Sequence, residues 1–178
     1  MRETTGYSRL QIALHWAVAG LILTNYVLSD AVGADFRRLI DTGGGGSLAG
    51  GGLHVWIGVT VLALVLLRVA VRLVSGAPEA PEGTPDLMRR ASVIGHLALY
   101  ALMLAVPVFG AMAWFLGIAA MGDVHVLSMN AMMLLILAHA GAALFHQFVR
   151  RDGLLIRALH GSSFNMLASN SNHIYTLY

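Results

Sequence analysis

Of 178 residues, 57% are apolar and 11% charged, none is cysteine, and the mean hydropathy is +0.73. Soluble domains carry about 25% charged residues, so this composition excludes an ordinary soluble chain and indicates an integral membrane protein. The missing cysteine excludes iron–sulfur clusters, disulfides, thiolate ligation and covalent Cys-x-x-Cys-His attachment of a cofactor.

Four segments are long and apolar enough to cross a hydrocarbon core about 30 Å thick: residues 10–28, 53–74, 93–119 and 124–149. They predict an all-α, four-helix membrane bundle occupying residues 1–160. The first span carries His15 and Trp16, and no small-residue cleavage site follows it. It is therefore expected to be retained and not removed as a signal peptide. Residues 30–52, DAVGADFRRLIDTGGGGSLAGGG, read as a flexible glycine-rich loop. The second span opens on His54 and carries Gly58, Arg68 and Arg72, and residues 75–91, SGAPEAPEGTPDLMRRA, form a proline-rich loop. The third span carries His96 and also Pro107, which is expected to kink it. A tight turn near Met121–Asp123 then makes the third and fourth spans antiparallel neighbours. The fourth holds His125, His139 and His146, with Met129–Met133 read as packing. Residues 161–178 shift to a polar, asparagine-rich composition and read as a tail outside the bundle, so His160 and His173 are set aside. No internal repeat is evident.

All basic residues are arginine. An even number of spans puts both termini on one side, with Arg2, Arg9, Arg68, Arg72, Arg89, Arg90, Arg150, Arg151 and Arg157; the other side has only Arg37 and Arg38. The positive-inside rule places both termini in the cytoplasm. The pI near 9.4 reflects this topology and not nucleic-acid binding.

Six histidines fall within the spans, where imidazoles are costly unless used. His125 and His139 are fourteen residues apart on one apolar helix, roughly 21 Å along its axis and within roughly 40° of one face. Two depths on one face indicate two stacked metal centres, and b-type haem held by one histidine from each of two helices fits best. Depth pairs His54 with His125 on the outer side. The inner side offers four candidates, His15, His96, His139 and His146, for two ligand positions. The alternative for any single histidine is an interhelical hydrogen bond. Arg68, fourteen residues after His54, shares that face at inner depth, where it pairs with a haem propionate or snorkels to the interface. Gly58, one turn below His54, leaves room for a porphyrin edge.

The stretches YSRLQIALHW, LHVWIGVTVLALVLLRVAVRL, IGHLALYALMLAVPVFG and LAHAGAALFHQFVRRDGLLIRAL resemble the four helices of the bacterial cytochrome b561 family. That family is related to the cytochrome b subunit of nickel–iron hydrogenases. The resemblance covers about residues 7–160. It implies two haems b, the inner held by His15 and His139 and the outer by His54 and His125. It also implies a place in the bacterial inner membrane and electron transfer between a periplasmic donor and the quinone pool. One branch of the family oxidises superoxide and reduces ubiquinone; His96, His146 and Trp16 match positions near the inner haem where quinone is expected in that branch. Against superoxide, the outer loops carry Asp30, Asp35, Asp41 and Asp123 with Arg37 and Arg38, a net of −2, where an anion-collecting site needs positive potential. A soluble c-type cytochrome is the other donor this leaves. The remaining alternatives are a haem-bearing membrane anchor for a partner redox enzyme and, in a different class, a haem-free transporter using the histidines for protons or metal ions.

Overall fold

The structure is a computed structural model and describes residues 7–29, 32–76 and 85–150, apart from the Arg150 side chain. The tail at 161–178, residues 77–84 of the loop at 75–91, and Arg2, Arg151 and Arg157 lie outside the described residues. Five α-helices follow one another: α1 (Arg9–Val27), α2 (Val32–Asp41), α3 (Gly52–Ser75), α4 (Asp86–Leu116) and α5 (Ala119–Phe145). A π-helical turn, His146–Arg150, extends α5. Four helical stretches, the third of them α4 with 31 residues, are long and apolar enough to cross a membrane. They form a four-helix bundle in which α1 packs on α3, α3 on α4 and α4 on α5.

Local chemistry sets the helix ends. Ser8 caps α1: its hydroxyl accepts the Gln11 amide at 3.2 Å, and Gln11 Oε1 accepts the Ser8 amide at 2.9 Å, a capping box. Gln11 Nε2 also donates to the Gly76 carbonyl at 3.1 Å, tying the start of α1 to the end of α3. Between α4 and α5 the turn falls at Gly117 and Ile118, not at Met121–Asp123. Gly117 has φ 66°, the left-handed conformation that ends helices, so α5 begins five residues earlier than apolarity alone suggests. α4 runs helically through Pro107. The missing proline N–H removes the intrahelical donor to the Met103 carbonyl.

The segment 30–52 is not uniformly irregular. Within VGADFRRLID, the apolar Val32, Phe36, Leu39 and Ile40 recur at helical spacing, and the stretch forms α2. The glycine-rich part that follows is pinned to the end of α4. Trp114 Nε1 donates to the Ser47 carbonyl at 2.9 Å, and the Gly46 amide donates to the Trp114 carbonyl at 2.7 Å.

Each long helix buries a narrow apolar stripe: Val18 and Ile22 on α1; Ile57, Val61 and Val65 on α3; Leu99, Met103 and Val106 on α4; Met132 on α5. Met129 and Met133 pack against this cluster, as expected of the methionine-rich stretch. Large apolar side chains elsewhere point outward, among them Leu97, Leu134 and Leu137 at 67–71% exposure, which suits helices surrounded by lipid. On α3 the buried stripe runs from just past His54 to just short of Arg68, so the apolar core separates an outer from an inner histidine layer.

Candidate functional site

The outer layer brings together helices far apart in sequence. His54 at the start of α3 and His125 early in α5 have ring centres 6.1 Å apart and ring planes at 83°. Each imidazole is anchored by its Nδ1. His125 Nδ1 lies 2.8 Å from the Val106 carbonyl of α4, and His54 Nδ1 lies 3.3 Å from the Asn25 carbonyl of α1. A carbonyl oxygen only accepts, so Nδ1 carries the hydrogen in both rings and Nε2 is the nitrogen left to bind a metal. Histidine metal ligands are held in this way, with the far nitrogen donating to a backbone carbonyl.

His125 comes this close to α4 because Gly110 has no side chain; a Cβ there would stand 3.0 Å from His125 Nδ1. Beside Gly58 the space is open: only Asn25 Nδ2, at 3.8 Å, lies within 4 Å of where a Cβ would be. Asn25 Oδ1 is buried and has no hydrogen-bond partner. Asn25, Val106 and Gly110 were not identified from the sequence. Two of them act through backbone oxygens, which no residue type signals.

The inner layer is more crowded. His96 on α4 and His139 on α5 have ring centres 5.2 Å apart and planes at 84°. His96 Nδ1 donates to the Ser92 carbonyl of its own helix at 2.6 Å, so Nε2 is its other hydrogen-bonding atom. His15 on α1 lies within electrostatic reach of His96, His139 and Arg68. Its ring stands edge-on to half-exposed Trp16, with centres 5.3 Å apart. Arg68 and Arg72 share the ring of Tyr100, which the sequence reading passed over, with Cζ atoms 5.5 and 5.8 Å from its centre. His146 sits where α5 passes into the π turn, its ring 6.2 Å from that of Phe145. The neighbouring Gln147 has a buried Oε1 without a partner.

Among the described residues no group of three or more His, Cys, Asp or Glu is placed to hold a metal ion. Paired histidines suffice where a macrocycle already provides the iron's in-plane ligands. The outer pair, with ring centres 6.1 Å apart, is the more widely spaced; His96 and His139 stand at 5.2 Å.

Histidine pairs layered across a four-helix membrane bundle define a multi-pass membrane protein of the cytochrome b kind. The family model described as prokaryotic cytochrome b561 matches residues 6–161, and the chain belongs to the prokaryotic cytochrome b561 family. Cytochrome b562 of Cereibacter sphaeroides is 43% identical over 162 residues, 89% of this chain and 98% of that protein. Cytochrome b561 homolog 1 of Escherichia coli is 26% identical, covering 86% of this chain and 96% of its own. A probable superoxide oxidase, CybB, of Yersinia pestis is also 26% identical, over 86% of this chain and 95% of its own. Membrane electron transfer with haem b as the cofactor follows from the family.

Proposed function

We propose that this chain carries electrons across the bacterial inner membrane, from a periplasmic donor to the quinone pool. It would hold one b haem between His54 and His125 and a second between His15 and His139. The observation that carries the reading is the outer pair: two imidazoles from different helices with ring centres 6.1 Å apart, both with Nδ1 anchored on a carbonyl. When bound, haem b supplies a one-electron iron couple whose potential the axial ligands, hydrogen bonds and burial set. The residues do the rest. The Asn25 and Val106 carbonyls hold the ligand rings in one orientation and raise their basicity. Room beside Gly58 and the orphaned Asn25 amide oxygen favour a planar group at the outer layer. Arg68, within electrostatic reach of His15 and His139, would neutralise a propionate at the inner layer.

His15 is favoured over His96 as the partner of His139 because it matches the first-helix His-Trp pair of the family. This leaves His96, His146 and Trp16 for quinone. With its Nδ1 hydrogen held by the Ser92 carbonyl, His96 turns Nε2 to a quinone headgroup as its hydrogen-bonding atom.

Haem extraction with a reduced-minus-oxidised spectrum tests the reading. Two non-covalent haems b per chain are expected; His54→Ala should remove only the outer one and His139→Ala only the inner one. A ratio of one haem per chain would refute the two-layer arrangement.

The donor admits a second reading. A relative bears the name probable superoxide oxidase, which favours superoxide as donor and ubiquinone as acceptor. The outer net charge of −2 favours a redox protein such as a soluble c-type cytochrome.

A further inference from the structure

Two like charges share one ring in the inner half of the bundle. Arg68 and Arg72 lie one turn apart on α3, and both guanidiniums stand within 6 Å of the centre of Tyr100 on α4. All three side chains are half-buried. Among the described residues the ion pairs are Arg38–Asp35 and Arg89–Asp86, so neither Arg68 nor Arg72 has a carboxylate partner there. Two cations held together away from bulk water repel each other. The negative face of the Tyr100 ring offsets part of that but carries no net charge. What completes such a site is an anion with at least two oxygens, because guanidinium donors bind carboxylate or phosphate in pairs.

Position identifies the anion. Arg68 stacks on Tyr100, one turn after His96 on α4, and His96 faces His139, which places Arg68 beside the inner histidines. Arg72 lies one turn further toward the end of α3, the end that Gln11 ties to the start of α1. A haem b carries two propionates, and the site offers two guanidiniums at adjacent levels. Accepting the inner haem of the proposed function, we infer that Arg68 and Arg72, held on the face of Tyr100, each bind one propionate of that haem.

Adding one electron turns ferric iron ferrous and makes the haem one charge more negative, and two adjacent cations favour that state. The inner haem is thereby higher in potential than it would be without the two arginines.

A redox titration of the purified two-haem protein, followed at the haem absorption bands, tests this. Arg72→Gln and Arg68→Gln should each lower the inner midpoint potential and leave the outer one unchanged, with two haems still bound. Tyr100→Leu should lower it as well, and Tyr100→Phe should not, since the ring face is kept. Redox-induced infrared spectra of protein carrying haem with ¹³C-labelled propionate carboxyls should show the labelled bands shifting in both arginine variants. If Arg68→Gln fails to assemble, Arg72→Gln alone gives the readout, and Arg68→Lys, which keeps the charge, should shift the potential less. Unshifted potentials and labelled bands with both haems present would overturn the inference. So would an arginine effect that appears only in nanodiscs containing anionic lipid, because the bound anion is then a lipid phosphate. A wild-type protein lacking the inner haem is a different result, visible in the haem count, and refutes the two-haem reading itself.

Discussion

At the scale of single residues, His125 depends on a side chain that is missing. Its Nδ1 reaches the Val106 carbonyl at 2.8 Å across the gap left by Gly110. A methyl group there would stand 3.0 Å from the ring nitrogen, tighter than ordinary packing, and the ring has to shift or α4 and α5 have to part. Gly110→Ala should therefore weaken or abolish the outer haem signal while the inner one persists. Gly95→Ala on the same helix, with nothing within 4 Å of its Cβ position, should leave both intact; reduced-minus-oxidised spectra compare them directly. An unchanged outer haem in Gly110→Ala would show that this carbonyl anchor does not position the ligand. Residue types that are costly in lipid were legible from sequence: six histidines stand out by chemistry, and depth alone pairs His54 with His125, whereas preferring His15 and His139 among the four inner ones needs the family resemblance. Their supports were not. The Val106 and Asn25 carbonyls have no residue signature, and Tyr100 meets Arg68 and Arg72 only through the rotation of α4 against α3.

Among elements, the spans were legible because a bilayer demands length and apolarity, and all four are present. Their ends were less so. Continuous apolarity across 93–119 hides the helix stop at Gly117, which depends on one left-handed residue. The helix α2 was missed because ten residues with an apolar face are masked by the glycines beside them. What holds that outer segment is one indole: Trp114 is 6% exposed and donates to the Ser47 carbonyl at 2.9 Å. Trp114→Phe keeps an aromatic ring but removes the donor, and losing one such bond costs about 1 kcal/mol. The variant should keep its helices and haem content, while protease added from the outer side cuts within residues 30–52 several-fold faster. Equal cutting rates would place the restraint elsewhere, for example in Phe36, which packs beside Gly122 of α5.

For the whole molecule, the proposed function gives the two ends different tasks. The inner end carries more histidines than the one proposed haem would use, and in that proposal His96 and His146 serve quinone. His146→Ala, and to a smaller extent His96→Ala, should leave both haem spectra intact and slow haem oxidation by a ubiquinone analogue. Each lost hydrogen bond of about 1 kcal/mol is worth several-fold in affinity. Loss of the inner haem in His146→Ala would instead make His146 an axial ligand. The outer end decides the donor. Its loops sum to −2, with Arg38 paired to Asp35 at 3.5 Å and both largely exposed, so neither residue offers a strong local field. Such a surface repels a small anion in a salt-dependent way and suits a basic protein partner. Should superoxide still be the donor, the isolated protein reduces a ubiquinone analogue under a superoxide flux with no partner added, and His54→Ala abolishes this. The acidic outer surface favours the other outcome, in which haem reduction by superoxide is no faster than in His54→Ala. A reduced c-type cytochrome then drives the reaction, and its rate falls as ionic strength rises. Superoxide-driven reduction that is lost in His54→Ala would show that a local feature of the outer layer outweighs the net charge.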